Sequence, residues 1–116
     1  MKIKVKIKLS DFEYREFVEG LRHAYATIEP ISFRDLVVME TLEEFLLTSF
    51  KHIWNTDKTH SFTLNAIQAY AIYTLITSAN QNFTPFQSGV NFIVASKIQN
   101  VYMSNVNKRI NNILVE

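Results

Sequence analysis

A chain of 116 residues, 47 % hydrophobic and 20 % charged, has the size and balance of one globular domain rather than a disordered segment. A formal net charge of +1 leaves no global field to draw it to nucleic acid, and the absence of cysteine excludes disulfide frameworks, thiolate zinc sites and cysteine nucleophiles. With two glycines and two prolines in all, there is no phosphate-cradling glycine loop or dinucleotide fingerprint, and long helices are favoured over a strand-and-turn fold.

Residues 2–9 alternate lysine with Ile3, Val5, Ile7 and Leu9. This strict period of two predicts a half-buried strand, with Lys2, Lys4, Lys6 and Lys8 on its other face. Ser10 with Glu13 has the spacing of a capping box and opens a first helix over about 11–29, which Pro30 stops. Gly20 inside that helix costs ~1 kcal/mol relative to alanine, which points to a bend or a close helix contact there. Ser32 and Asp35 start a second helix over about 33–54, acidic at its beginning and basic at its end, as the helix dipole favours.

The polar stretch Asn55–Ser61 reads as a loop, and Thr63 as the cap of a third helix over about 63–79. Its apolar residues point in nearly every direction, so it is expected to be the central, most buried helix. Its most apolar part, Ala66 to Ile76, is well short of the ~18–20 residues that span a bilayer. Thr84-Pro85-Phe86-Gln87 supplies a cap, a proline at the first helical position and a glutamine at the third. A fourth helix over about 85–113 follows. The expected fold is therefore mainly α, a four-helix bundle-like single domain with one N-terminal β-strand.

Two mismatches point outward. A lone strand needs a hydrogen-bonding neighbour; the candidates are the C-terminal Ile113-Leu114-Val115 or the strand of a second molecule. A continuous helix from Pro85 to Val115 would run ~46 Å, beyond the ~35 Å diameter expected of a compact domain this size. Either it breaks near the run Asn100, Asn105, Asn107, Asn111 and Asn112, or it overhangs and its apolar stripe needs cover. A homodimer relieves both mismatches. The candidate interface is Ile3, Val5 and Ile7 on the strand, with Val106, Ile110, Ile113 and Leu114 on the last helix.

The search for chemistry is short. One Glu-x-x-x-His pair, Glu19 with His23, is far from a dinuclear site, and Glu19, Arg22 and His23 read as a solvated cluster. His52 near a helix end is explained by carbonyl and dipole contacts. The loop containing Asp57, Lys58 and His60 holds acid–base ingredients without a nucleophile elbow or glycine turn to organise them. Tyr70, Tyr73, Tyr102 and Trp54 at helical spacing read as core before they read as a pocket. No catalytic, metal-binding or cofactor-binding residue is assigned, and no cofactor is expected.

These features do not specify a biological role. The expectation is a cytoplasmic, non-enzymatic protein-interaction or oligomerisation module, a homodimer with possible further protein partners and no membrane association. The alternative is nucleic-acid binding through Lys2, Lys4, Lys6 and Lys8, in which uniform lysine would contact phosphates rather than read bases.

Overall fold

In the computed structural model, residues 2–52 and 58–114 are described. Their order is β1 (Val5–Ser10), α1 (Asp11–Tyr25), α2 (Phe33–His52), β2 (Thr59–Leu64), α3 (Ala66–Ser78), a short 3-10 turn (Asn80–Asn82) and α4 (Pro85–Leu114). The fold is mostly helical with a small two-stranded sheet.

The predicted strand exists, but its partner is neither the C-terminal tail nor a second molecule. It is β2, paired antiparallel with β1 in the register Lys6↔Thr63, Ile7↔Phe62, Lys8↔Ser61 and Leu9↔His60. Ile113 and Leu114 lie in α4; Val115 is outside the described residues. The segment read as a loop and a helix cap is thus partly strand. Thr63 belongs to β2, and the cap of α3 is Asn65, which forms a reciprocal box with Gln68.

Local chemistry sets the helix ends. Ser10 Oγ accepts from the Glu13 amide while the Glu13 carboxylate accepts from the Ser10 amide, satisfying two orphan donors where β1 becomes α1. α1 ends at Tyr25, four residues short of the expected 29. The Thr27 and Ile28 amides turn back to the carbonyls of Ala24 and Tyr25, and the Thr27 hydroxyl also donates to Ala24 O at 2.7 Å. At the start of α2, Ser32 Oγ accepts from the Asp35 amide, and Asp35 reaches past Ser32 to the amide of Ile31. The Thr84–Gln87 box opens α4 as its sequence predicts.

The most buried helix is α1, not α3. Phe17, Val18, Leu21 and Ala24 are completely enclosed, and α1 packs against both strands and the other three helices. β1 contributes Val5, Ile7 and Leu9 to the same core, with α2 adding Leu42, α3 adding Ile72 and Leu75, and α4 adding Val90 and Val94. An aromatic cluster of Phe17, Phe45 and Phe62, with ring centroids 6.0–6.4 Å apart, fills the space between α1, α2 and β2. α3 is apolar all round yet leaves Ile67 and Tyr70 exposed.

α4 does not break at its asparagines. They lie on exposed positions, except half-buried Asn105, whose amide donates to the carbonyl of Val101 one turn earlier. Thirty residues at ~1.5 Å each make a rod of ~45 Å. The described residues extend over 51 × 38 × 25 Å, so the molecule is elongated rather than spherical.

Candidate interaction surfaces

α4 packs through Val90, Val94 and Ile98 and then leaves the core; every residue from Asn107 to Ile113 is exposed. Ile98, Tyr102, Val106, Ile110 and Ile113 follow one another at intervals of three or four, which is one slowly turning stripe of a helix. Its beginning forms a wall of an apolar groove of about 290 Å³ between α3 and α4, with Ile3 and Val5 at the floor and Tyr70, Tyr73 and Tyr102 on the sides. Its end is in the open, with Ile110 47 % and Ile113 76 % exposed.

The candidate interface residues are therefore divided. Val5 and Ile7 are 1 % and 2 % exposed and belong to this chain's own core, with no surface left for a partner. Ile3 is half-buried at the groove. Val106, half-buried, joins Ile110 and Ile113 on the stripe; the side chains of Leu114 and His52, like Trp54, lie outside the described residues. The three tyrosines read as core are groove walls instead. Helical spacing shows that they share faces, and only the depth to which α3 and α4 are covered separates core from groove.

Lys2, Lys4, Lys6 and Lys8 are all exposed. Lys6 and Lys8 stand on the outer face of the sheet, opposite Thr63 and Ser61. α4 brings Lys97 beside Lys6 and Lys8, and Arg109 beside Lys2 and Lys4. These two α4 cations carry no local signal, because only the antiparallel course of α4 along β1 places them there.

The polar cluster with the most internal structure lies at His60. Its Nε2 is 2.9 Å from Asp11 Oδ1, its ring stacks on Tyr14 with centroids 4.4 Å apart, and the residue is 9 % exposed. Asp11 also accepts from Arg15 at 3.0 Å, and its amide donates to the carbonyl of Lys58. The hydrogen bond from His60, assisted by Arg15, holds the Asp11 carboxyl below the usual carboxylate value. A carboxylate-oriented imidazole beside a depression is an ingredient of proton transfer. Here, among the described residues, Asp11 is the one side chain hydrogen-bonded to His60, and no hydroxyl is activated by it. The pair links the start of β2 to the start of α1.

Glu19, Arg22 and His23 form one exposed cluster on α1, with Arg22 at 2.7 Å and His23 at 2.9 Å from the same Glu19 oxygen. The Arg22 hydrogen bond lowers the Glu19 pKa. Among the described residues, no three His, Asp or Glu side chains converge as a metal site, and no helix is long and apolar enough to cross a membrane. The exposed features left are the apolar stripe of α4, with its groove, and the lysine face of the sheet. No protein-family model matches the chain, and no curated protein or solved structure matches it either.

Proposed function

We propose that the chain is a single-domain, bundle-like, non-enzymatic interaction module that self-associates through the free end of α4, forming a homodimer in the cytoplasm. The observation that carries this reading is the seven-residue exposed run Asn107–Ile113, with Ile110 and Ile113 uncovered at its side. A helix end with two turns in water gains nothing from packing and is marginal by propensity alone. A second α4 laid against the stripe would enclose Val106, Ile110 and Ile113. Lys108 lies two residues from Ile110, about 200° around the helix and so away from the seam. Arg109 lies about 40° from Ile113, so a pairing helix must leave its long side chain reaching out to solvent at the rim. The stripe can meet its own copy about a two-fold axis, the commonest way for identical chains to associate. The cytoplasmic part of the reading is supported by the absence of cysteine, which suits a reducing compartment.

The test is light scattering coupled to size exclusion, on wild type and on the double variant Ile110→Lys/Ile113→Lys. Wild type is expected at twice the chain mass. The variant is expected at the chain mass, with the cooperative unfolding of the core retained because both side chains are outside it, and with at most the helical signal of the last two turns of α4 lost. A wild-type protein that stays at the chain mass at the highest attainable concentration overturns the reading.

A further inference from the structure

We infer that the outer face of the β1–β2 sheet, extended by Lys97 and Arg109 of α4, is a binding site for the phosphate backbone of a double-stranded nucleic acid. A net charge of +1 conceals a strong separation of charge. Residues 1–10 and 58–114 contain no aspartate or glutamate, and all the basic residues of the face come from these two segments. The acids lie in residues 11–57, which include α1 and α2, apart from Glu116 at the terminus.

The sheet register shows how this separation is built. An exposed lysine on an antiparallel pair usually gains from an acid directly across, by ~0.2–1 kcal/mol. Here Lys6 faces Thr63, Lys8 faces Ser61, and Ser10 faces Thr59. Every opposite position is a hydroxyl, which can donate to a phosphate oxygen and never neutralises the lysine. Among the described residues, none of the six cations Lys2, Lys4, Lys6, Lys8, Lys97 and Arg109 forms an ion pair. Lysines that only guard a sheet against edge pairing would not need two more cations delivered by a helix. The helix delivers them to two adjoining depressions that share Thr63, one holding Lys6, Lys8 and Lys97, the other Lys2, Lys4 and Arg109.

The chemistry of the face selects its ligand. From Lys2 to Lys8 the cations are spread along up to ~20 Å of chain, in β1 and the residues just before it, a distance suited to a polymer of charges rather than to one small anion. The residues opposite the lysines on the sheet are serine and threonine. Among the described residues, the exposed aliphatic side chain beside them is the single Ile67 of the second depression, too little apolar surface to anchor in a bilayer, so an anionic membrane is disfavoured. No aromatic ring stands on this face for bases to stack on, which argues against single strands. Asn65 and Gln68 beside the second depression are occupied in capping each other. With both amide oxygens engaged, neither side chain offers the paired donor and acceptor that reads adenine. A face of lysines contacts phosphates, so binding is expected to be largely indifferent to sequence.

The experiment is fluorescence anisotropy with a random-sequence DNA duplex, in 50 mM and 200 mM salt. Six phosphate contacts predict an affinity about 10³-fold weaker at the higher salt. Lys6→Glu/Lys97→Glu is expected to abolish binding at the lower salt, and Lys51→Glu on α2 to leave it unchanged, with circular dichroism confirming that both variants fold. Absence of binding at 50 mM salt, binding that survives the double substitution, or tighter binding to phosphatidylserine vesicles than to duplex would each overturn the inference. Arg109 borders the α4 stripe, but the substituted residues Lys6 and Lys97 lie outside Asn107–Ile113. Repeating the anisotropy on Ile110→Lys/Ile113→Lys therefore separates the two proposals: duplex binding retained by that variant stands without self-association.

Discussion

Gly20 of α1 lies so close to Gln87 of α4 that a β-carbon added to it would sit 3.2 Å from the Gln87 side-chain amide and 3.1 Å from the ring of Phe83. Gln87 is not free to move aside, because its amide oxygen accepts from the Thr84 amide in the box that opens α4. Gly20→Ala therefore sets a gain in helix propensity of ~1 kcal/mol against overpacking of ~1–3 kcal/mol and a strained cap. The expected net result is a loss of ~1 kcal/mol, read as a lower urea midpoint. Gly89 is the control. It is exposed in α4 with nothing within 4 Å of an added β-carbon, so Gly89→Ala is expected to stabilise by ~0.5–1 kcal/mol.

That contact shows how far local patterns reach. The cost of a mid-helix glycine in α1 pointed to a bend or a close helix contact, and no spacing along the chain could name Phe83 or Gln87 as the neighbours. The strand β1 and the capping boxes at Ser10 and Thr84 were legible because each is a signal contained within a few residues. β2 was not, since its inward positions are His60, Phe62 and Leu64, and a histidine at the first of them hides the alternation. His60 is tolerated inside because Asp11 and Tyr14 enclose it. Of the two expectations for α4, a break in the asparagine run or an overhang, the continuous helix takes the second. The radius of gyration of 15.1 Å, above the ~13 Å expected for compact packing, agrees with that overhang. The lysines of the candidate nucleic-acid face were visible, whereas Lys97 and Arg109 became its members only through tertiary packing.

Ile7 and Lys6 are sequence neighbours on opposite faces of β1, and they should respond to truncation very differently. Ile7 is 2 % exposed, and its removal in Ile7→Ala leaves a cavity among the core residues, expected to cost ~2–5 kcal/mol. Lys6→Ala touches only the solvent side and should change stability by no more than ~0.5 kcal/mol. Chemical denaturation of both variants checks the register directly. Equal effects would mean that the sheet faces are wrongly assigned.

Asn91 on α4 is 3 % exposed, and neither its amide nitrogen nor its amide oxygen finds a partner among the described residues. A buried polar group in that condition carries a desolvation cost of ~1–3 kcal/mol. Asn91→Leu, close in volume and without polar atoms, is expected to raise stability by ~1 kcal/mol and the melting temperature by ~4 °C. A lower melting temperature would show that the amide is satisfied in solution and contributes to the packing of α4.

The acid limb of the stability curve should be governed by α1. The Asp11 carboxyl is held below its ordinary value of 3.8 chiefly by the His60 hydrogen bond, and Glu19 below 4.5 chiefly by Arg22. A carboxyl whose pKa is lower in the folded state binds its proton more readily once the chain unfolds, so acid favours unfolding. The stabilisation is therefore complete above the unfolded values and is lost as pH falls through the folded ones, from ~5 to ~3 and below. At the other end, burial, with Glu43 nearby, raises the Tyr25 phenol above 10.0. Its neutral form is the one the fold prefers, so that contribution persists below pH 10.0 and declines as the solution becomes more alkaline. Urea midpoints measured across both ranges should trace a plateau with two falling limbs. Asp11→Asn keeps the side chain's size but cannot ionise. It should lower the plateau and flatten the acid limb, leaving the alkaline limb intact. An acid limb as steep in Asp11→Asn as in wild type would show that the contact between β2 and α1 is not coupled to the charge of Asp11.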